Sequence, residues 1–196
     1  MADQGIRSRP VYGPVRLDAT GRRHLLVTDQ SQVPPDALRD ELGSFPEVWT
    51  VARTSRQPAS PFLAPASGAA STHAFRSLAQ LFDALRARLA RETMGFRLYA
   101  VGSETFLADV GALGSSAGLG RSEIVLGHAG SLGRRVYCVH CRTMTDGVKK
   151  NVFACGGCGA SLFVRDHFSA RLAAFMGVQV DAEVPGELPP IETLYE

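Results

Sequence analysis

Hydrophobic and polar positions follow two different periods along this chain, and the switches between them mark its elements. His24-Leu25-Leu26-Val27-Thr28 is a short apolar run closed by a polar turn, which reads as a buried strand. Pro34-Pro35-Asp36 opens a short helix through about Leu42. Glu47-Val48-Trp49-Thr50-Val51-Ala52 is a second strand, rich in β-branched and aromatic residues. From about Phe75 to Glu92 the pattern becomes helical: Leu78, Leu81, Phe82, Leu85 and Leu89 share one face, with Arg86, Arg88 and Arg91 between them. Gly95 precedes a third strand, Phe96-Arg97-Leu98-Tyr99-Ala100-Val101. Gly102-Ser103-Glu104 then turns into a helix whose buried stripe is Phe106, Leu107, Val110 and Leu113. Ser103 is suited to cap its free N–H groups, and Glu104 to the positive end of its dipole. Glu123-Ile124-Val125-Leu126 is a fourth strand. Strands alternating with helical segments over residues 23–127 predict an α/β fold, a small parallel Rossmann-like sheet with helices on its faces.

The remaining segments set the domain organisation. Residues 1–20 are polar, carry Gly and Pro, and read as an N-terminal arm to an α/β domain over 21–130. Residues 54–74, dominated by Pro, Ala, Ser and Gly, read as a long loop inside that domain, either a linker or a contact segment. A zinc ribbon with a following helix occupies 131–180: Asp166 caps the helix, Phe168, Leu172, Phe175 and Met176 share one face, and Gly177 ends it. Residues 181–196 form an acidic, proline-containing tail suited to lie on a partner.

Composition adds little. The chain has 196 residues, of which 45% are hydrophobic and 20% charged, with a formal net charge of +2, so bulk electrostatics favour neither nucleic acid nor a membrane surface. Met1 to Pro10 contains no apolar core of a signal peptide, and no apolar run approaches the roughly 20 residues that span a bilayer. A cytoplasmic protein is the expectation, and in that reducing compartment paired cysteines favour metal over disulfides.

The cysteines carry the chemistry. All four lie in two tight pairs, Cys138-Val139-His140-Cys141 and Cys155-Gly156-Gly157-Cys158, separated by residues 142–154. Thiolates three positions apart converge on one ion while backbone N–H groups point at their sulfurs, and Gly156, Gly157 and Gly159 relieve the second turn. Cys138, Cys141, Cys155 and Cys158 therefore form a closed four-thiolate set with no open coordination position, a structural site rather than a hydrolytic one. Zinc is the expected metal, with iron in a rubredoxin-like site as the alternative. Arg142, Lys149 and Lys150 could offset the excess negative charge or simply be solvated, and His140 is expected to point outward.

Nothing comparable marks a catalytic or cofactor site. The first strand is followed by Thr28-Asp29-Gln30-Ser31-Gln32-Val33-Pro34-Pro35, without the glycines of a phosphate loop. The stretch Gly111-Ala112-Leu113-Gly114-Ser115-Ser116 reads as the end of a helix. His24, His73 and His128 stand in no recognisable nucleophile or carboxylate pattern, and read as structural. Catalytic and cofactor-binding residues are expected to be none.

Two family resemblances sharpen this reading. Phe96 through Phe106, with the following helix and Glu123-Ile124-Val125-Leu126, resembles the last βαβ unit of the nicotinamide domain in flavin-dependent ferredoxin reductases. Val101-Gly102-Ser103 stands where that family has Cys-Gly-Pro, and its glycine-rich first turn is absent, so the resemblance implies the fold and not the nucleotide. Cys138 through Cys158, continuing through Ala160-Ser161-Leu162-Phe163-Val164-Arg165-Asp166-His167-Phe168-Ser169 and Phe175-Met176-Gly177-Val178, is similar to the C-terminal region of the small subunit of bacterial dimethylamine monooxygenase. That resemblance implies an accessory, non-catalytic subunit of a haem-dependent complex acting in methylamine degradation. The complex would use NADPH and O2 to demethylate dimethylamine to methylamine and formaldehyde. Haem, FMN and a 2Fe-2S cluster would sit on partners, a haem-containing demethylase subunit and a flavin/iron–sulfur reductase subunit. The residues alone leave two other readings open, a zinc-ribbon module binding nucleic acid or protein, and a rubredoxin-like electron carrier. Arg134, Arg135, Arg142, Lys149 and Lys150 are the basic positions a nucleic-acid surface would use, and the acidic tail argues against one.

Overall fold

A computed structural model describes residues 8–38, 45–52 and 71–195. The chain divides into two compact units, Tyr12–Ala129 and Met1–Val11 with Gly130–Glu196, so the expected N-terminal arm is shared between them.

The first unit is a five-stranded, fully parallel sheet in the order β3-β2-β1-β4-β5. Its strands are β1 (Arg23–Thr28), β2 (Glu47–Val51), β3 (Ser71–Phe75), β4 (Phe96–Gly102) and β5 (Ile124–His128). Helix α1 (Leu78–Leu89) joins β3 to β4, and α2 (Glu104–Ser116) joins β4 to β5. The order reverses at β1, and α1 and α2 both pack on one face while the described residues between β1 and β2 pack on the other. Both faces are buried, so successive residues of one strand serve different cores. Leu25, Val27, Leu98 and Ala100 face α1 and α2 through Leu81, Leu85, Phe106 and Val110. Leu26, Val48, Tyr99 and Val101 face Val15, Val33, Ala37 and Phe45. This explains why β1 reads as a continuous apolar run rather than as an alternation.

Sequence and structure differ here in three places. The expected helix from Pro34 is a single 3-10 turn, Pro35–Ala37, and residues 39–44 lie outside the described residues. The expected loop 54–74 ends in β3, whose pattern is mostly exposed because it is an edge strand; residues 53–70 lie outside the described residues. Its backbone is held by in-register pairing with β2 rather than by burial, so it leaves no hydrophobic signal. Gly111 and Gly114 lie inside α2 rather than ending it: a Cβ on Gly114 would meet Ile124 Cδ1 at 2.8 Å, so the glycine lets helix and β5 approach.

The second unit is a mixed sheet in the order β7-β6-β10-β9-β8, in which only β6 and β10 pair in parallel. Its strands are β6 (Arg134–Cys138), β7 (Met144–Val148), β8 (Val152–Ala154), β9 (Ser161–Ser169) and β10 (Ala174–Gln179). The helix expected over 167–176 is a β-hairpin. Phe168 and Phe175 do meet, as directly paired residues across β9 and β10 with ring centroids 5.1 Å apart. A seven-residue separation that looks helical is equally that of two strands folding back, and β9 carries the alternation Leu162, Val164 that decides for strand. Gly177 ends no helix. It lies buried in β10 beside a register shift, where a Cβ would meet Val136 Cγ1 at 2.7 Å. Asp166 is not a cap but an ion-pair partner of Arg134 (2.9 Å) and of Arg9. Replacing Gly177 by alanine is expected to destabilise this unit by about 1–3 kcal/mol through overpacking, measured as a lowered urea midpoint with the helical circular-dichroism signal of α1 and α2 unchanged.

Candidate metal centre

Two hairpin turns build the site. Cys138 ends β6 and Cys141 lies in the turn to β7; Cys155 follows β8 and Cys158 lies in the turn to β9. The turns repeat one hydrogen-bond pattern. Arg142 N–H donates to Cys138 O (2.9 Å) and Cys138 N–H to Thr143 O (3.0 Å); Gly159 N–H donates to Cys155 O (2.9 Å) and Cys155 N–H to Ala160 O (2.9 Å). Each pattern needs a left-handed residue just after the second cysteine. Gly159 supplies it at φ 74°, but Arg142 stands there at φ 67°, a conformation that costs a non-glycine residue about 1–2 kcal/mol. Gly157 is required for space: a Cβ would collide with Thr143 and approach Cys141 Sγ to 3.1 Å. Gly156 meets no such limit.

The four sulfurs lie within 4.8 Å of one another, with Cys138–Cys158 at 3.9 Å and Cys141–Cys155 at 3.6 Å. Four Zn–S bonds of about 2.3 Å in a tetrahedron put the sulfurs about 3.8 Å apart. The donor set fits one tetrahedral ion held by Cys138, Cys141, Cys155 and Cys158. Gly157 N–H points at Cys155 Sγ (3.4 Å), and Leu162, Phe153 and Ala160 wall the inner side. Cys138 and Cys155 are buried while Cys158 is exposed, so the site opens to solvent on one flank.

Electrostatics of the metal-free cluster point the same way. The Thr143 hydroxyl and backbone lower the Cys141 thiol to about 6. The backbone N–H of Ala160 favours the Cys158 thiolate, but the crowded sulfurs of Cys141, Cys155 and Cys138 outweigh it and raise that thiol to about 12. One thiolate forms readily, and further negative charge is resisted until a cation neutralises it. His140 and Arg142 are exposed, and His140 is not among the converging ligands. Lys149 and Lys150 are exposed and follow β7 at its end away from Cys141.

The histidines are engaged elsewhere. His24 reaches Tyr99 Oη (3.0 Å) and Gly21 O (3.2 Å), and His73 on the β3 edge meets Ser71 Oγ (3.1 Å). His128 lies beside the Tyr12 ring, whose centroid is 6.0 Å away. A feature the sequence did not disclose sits where strand order reverses, the usual ligand crevice of such sheets. Asp29, just past β1, accepts hydrogen bonds from Ser103 N–H (3.2 Å) and Ser103 Oγ (2.5 Å) at the start of α2. Ser103 therefore spends its hydroxyl on Asp29 and does not cap α2 with its side chain. The carboxylate of Asp29 thus stands at the helix terminus where an anionic ligand would bind. Its other oxygen is buried against Gly102, where any side chain would collide with it. Glu104, which follows Ser103, is buried, and burial of Tyr12, with the Glu104 carboxylate nearby, holds the Tyr12 phenol above its usual range. Only the short polar turn after β1 hinted at this contact.

Residues 4–124 match the family described as dimethylamine monooxygenase subunit DmmA-like, N-terminal domain, and residues 135–178 match its C-terminal domain, which contains all four cysteines. The chain belongs to the DmmA-like family. A curated relative, the heme-dependent oxidative N-demethylase delta subunit of Ectopseudomonas mendocina (strain ymp), is 39% identical over 111 residues. That alignment covers 57% of this chain and 63% of the relative, so less than two thirds of the relative's length is spanned. No solved structure matches the chain. Among the described residues of this DmmA-like chain, no helix is long and apolar enough to cross a membrane.

Two outcomes follow from the sulfur geometry. Adding a divalent ion to the metal-free protein at pH 7 should displace every proton the cluster still holds, that of Cys158 among them, so the apparent affinity rises with pH and falls more steeply below about pH 6, where Cys141 is also protonated. Titration calorimetry in two buffers of different ionisation enthalpy measures the proton release. Arg142→Gly should raise the stability of the metal-free unit by about 1 kcal/mol through relief of the left-handed backbone, read from urea denaturation in the presence of a chelator.

Proposed function

We propose that this chain is an accessory, non-catalytic subunit of a haem-dependent oxidative N-demethylase, and that a zinc ion held by Cys138, Cys141, Cys155 and Cys158 pins its C-terminal unit for assembly. The carrying observation is that both DmmA-like domains match in order along one chain, over 4–124 and 135–178. The name of the 39% identical relative, a delta subunit, supports a place in a multi-subunit enzyme. The reaction would be NADPH- and O2-dependent demethylation of dimethylamine to methylamine and formaldehyde, in the cytoplasm. Haem would reside on one partner, and FMN with a 2Fe-2S cluster on a reductase partner. Two features support an accessory role. A shell completed by four cysteines has no position for substrate or water on the metal. The Asp29 carboxylate occupies the helix terminus that a dinucleotide phosphate would need. Zinc is favoured over iron by the closed, non-redox role assigned to the site.

Within that role the metal contributes folding free energy, on the order of 10–16 kcal/mol in small zinc peptides. The four cysteines hold the β6–β7 and β8–β9 turns together, and these turns set the register of both hairpins. Pulling the purified chain from cells that also express the haem and reductase subunits should recover all three, with about one zinc per chain by plasma mass spectrometry. Cys155→Ser should lose the metal and the partners together. A red-brown protein with charge-transfer absorption would instead mark a rubredoxin-like iron site. Partners that assemble and turn over dimethylamine at the full rate without this chain would defeat the proposal.

A further inference from the structure

Segment Asp181–Tyr195 is not a free tail. Its first half closes on itself: Glu187 N–H donates to Val184 O (3.1 Å) and Gly186 N–H to Asp181 Oδ2 (3.3 Å). Its second half is laid along the link between β7 and β8. Asn151 N–H donates to Glu192 O (3.0 Å), while Leu194 N–H (2.9 Å) and Tyr195 N–H (3.1 Å) share Lys149 O. The Asn151 side chain donates to Pro190 O (2.9 Å) and accepts from Glu192 N–H (2.8 Å). At the end, the Arg134 guanidinium lies between the rings of Tyr195 (3.9 Å) and Phe175 (4.0 Å). Pro185, Pro189 and Pro190 further limit the backbone.

This anchoring uses backbone groups, Asn151 and Tyr195, and it leaves the large apolar side chains facing water. Val184 is 55% exposed, Leu188 43%, Ile191 56% and Leu194 51%. Glu183, Glu187 and Glu192 are exposed among them, and the segment contains no lysine or arginine. Lys149 and Lys150 lie beside Thr193, at one end of the strip. Ordering a segment costs conformational entropy, and here that cost is met while four apolar side chains remain solvated. An ordered strip of this kind loses little further entropy on binding. Its edge charges select a partner of opposite sign.

We propose that Val184–Leu194 is a preformed docking strip for a partner protein that offers an apolar groove bordered by arginine or lysine. This rests on the subunit reading above and assigns the surface that reading leaves open. Cys138 ends β6 and Cys155 follows β8, whereas the strip runs along the Lys149–Asn151 link at the other end of those strands. The second half of the strip therefore lies away from the sulfur cluster, whereas the segment leaves β10 at the cysteine end, where Gly177 pairs with Cys138 and Val180 N–H donates to Ser161 O; Glu187, Leu188, Ile191 and Glu192 are not among the residues packed around the sulfurs.

The test titrates the zinc-loaded full chain against the purified haem-containing subunit and, separately, the purified reductase subunit of the same N-demethylase. Leu188→Glu with Ile191→Glu should weaken binding to one of them by about tenfold or more. Glu187→Lys with Glu192→Lys, which changes only exposed side chains, should weaken it severalfold and flatten its dependence on salt. Met94→Glu, at a 94% exposed site in the other unit, serves as the control and should leave binding unchanged. Tight binding by the native chain that neither double variant alters overturns the strip and leaves the subunit reading standing. A native chain that binds neither subunit overturns the subunit reading itself. Self-association in sedimentation velocity that the double variants abolish overturns the assignment to a partner, since the strip would then join two copies of this chain.

Discussion

Mutual repulsion among four sulfurs is the constraint on which the second unit depends. The turns bring Cys138, Cys141, Cys155 and Cys158 within 4.8 Å of one another, a distance that suits a shared cation and opposes four bare thiolates. Hairpins β6–β7 and β8–β9 each end at one of these turns, and β10 lies between β6 and β9. An ion at the centre would couple both hairpins at one end of the sheet, beyond the cluster in which Val136, Val148, Val164 and Phe175 are buried. A metal held there would add folding free energy to that burial. The opposite end is held by different means. There Arg134 pairs with Asp166 and lies between Phe175 and Tyr195, while Ser8 pairs across to Phe168.

The first unit meets a different constraint. A parallel sheet must be covered on both faces; here α1 and α2 cover one, and among the described residues Val15, Val33, Ala37 and Phe45 pack on the other. The geometry that would make such a sheet a nucleotide site is retained, with strand order reversing between β1 and β4 and a helix starting just past β4. What differs is chemical. Asp29 puts a carboxylate at the start of α2, where it accepts from the N–H and hydroxyl of the N-cap Ser103, so an internal anion stands at the positive end of the helix. The parallel sheet thus carries a carboxylate of its own at the place an anionic ligand would take, which agrees with the accessory role proposed for the chain.

Much of the first unit was legible because its signals are local. Leu81, Leu85 and Leu89 mark α1, and the apolar runs of β1 and β4 mark central strands. The misses share one cause. Strand β3 lies at an edge with exposed side chains, and its identity comes from pairing with β2, which leaves no hydrophobic pattern. The hairpin of β9 and β10 was mistaken for a helix because Phe168 and Phe175 are adjacent in either arrangement, and only the ladder to β6 and β8 separates the two. Gly177 reads as a helix stop in sequence, yet it is conformationally ordinary and exists to let Val136 approach.

The sulfur cluster was legible as a candidate ligand set, since CxxC spacing itself brings two sulfurs together and the second pair has the same spacing. Sequence by itself determined the four cysteines, the central strands and the two long helices, because each is encoded in spacing between near neighbours. Tertiary structure alone decided that the two cysteine pairs meet, that Asp29 fills the start of α2, and that the acidic segment is pinned along Lys149–Asn151 with its apolar side chains outward. Those contacts join residues far apart in the chain, through backbone hydrogen bonds and single polar pairs that any sequence can make. Which of them form depends on the sheet that brings their partners within reach.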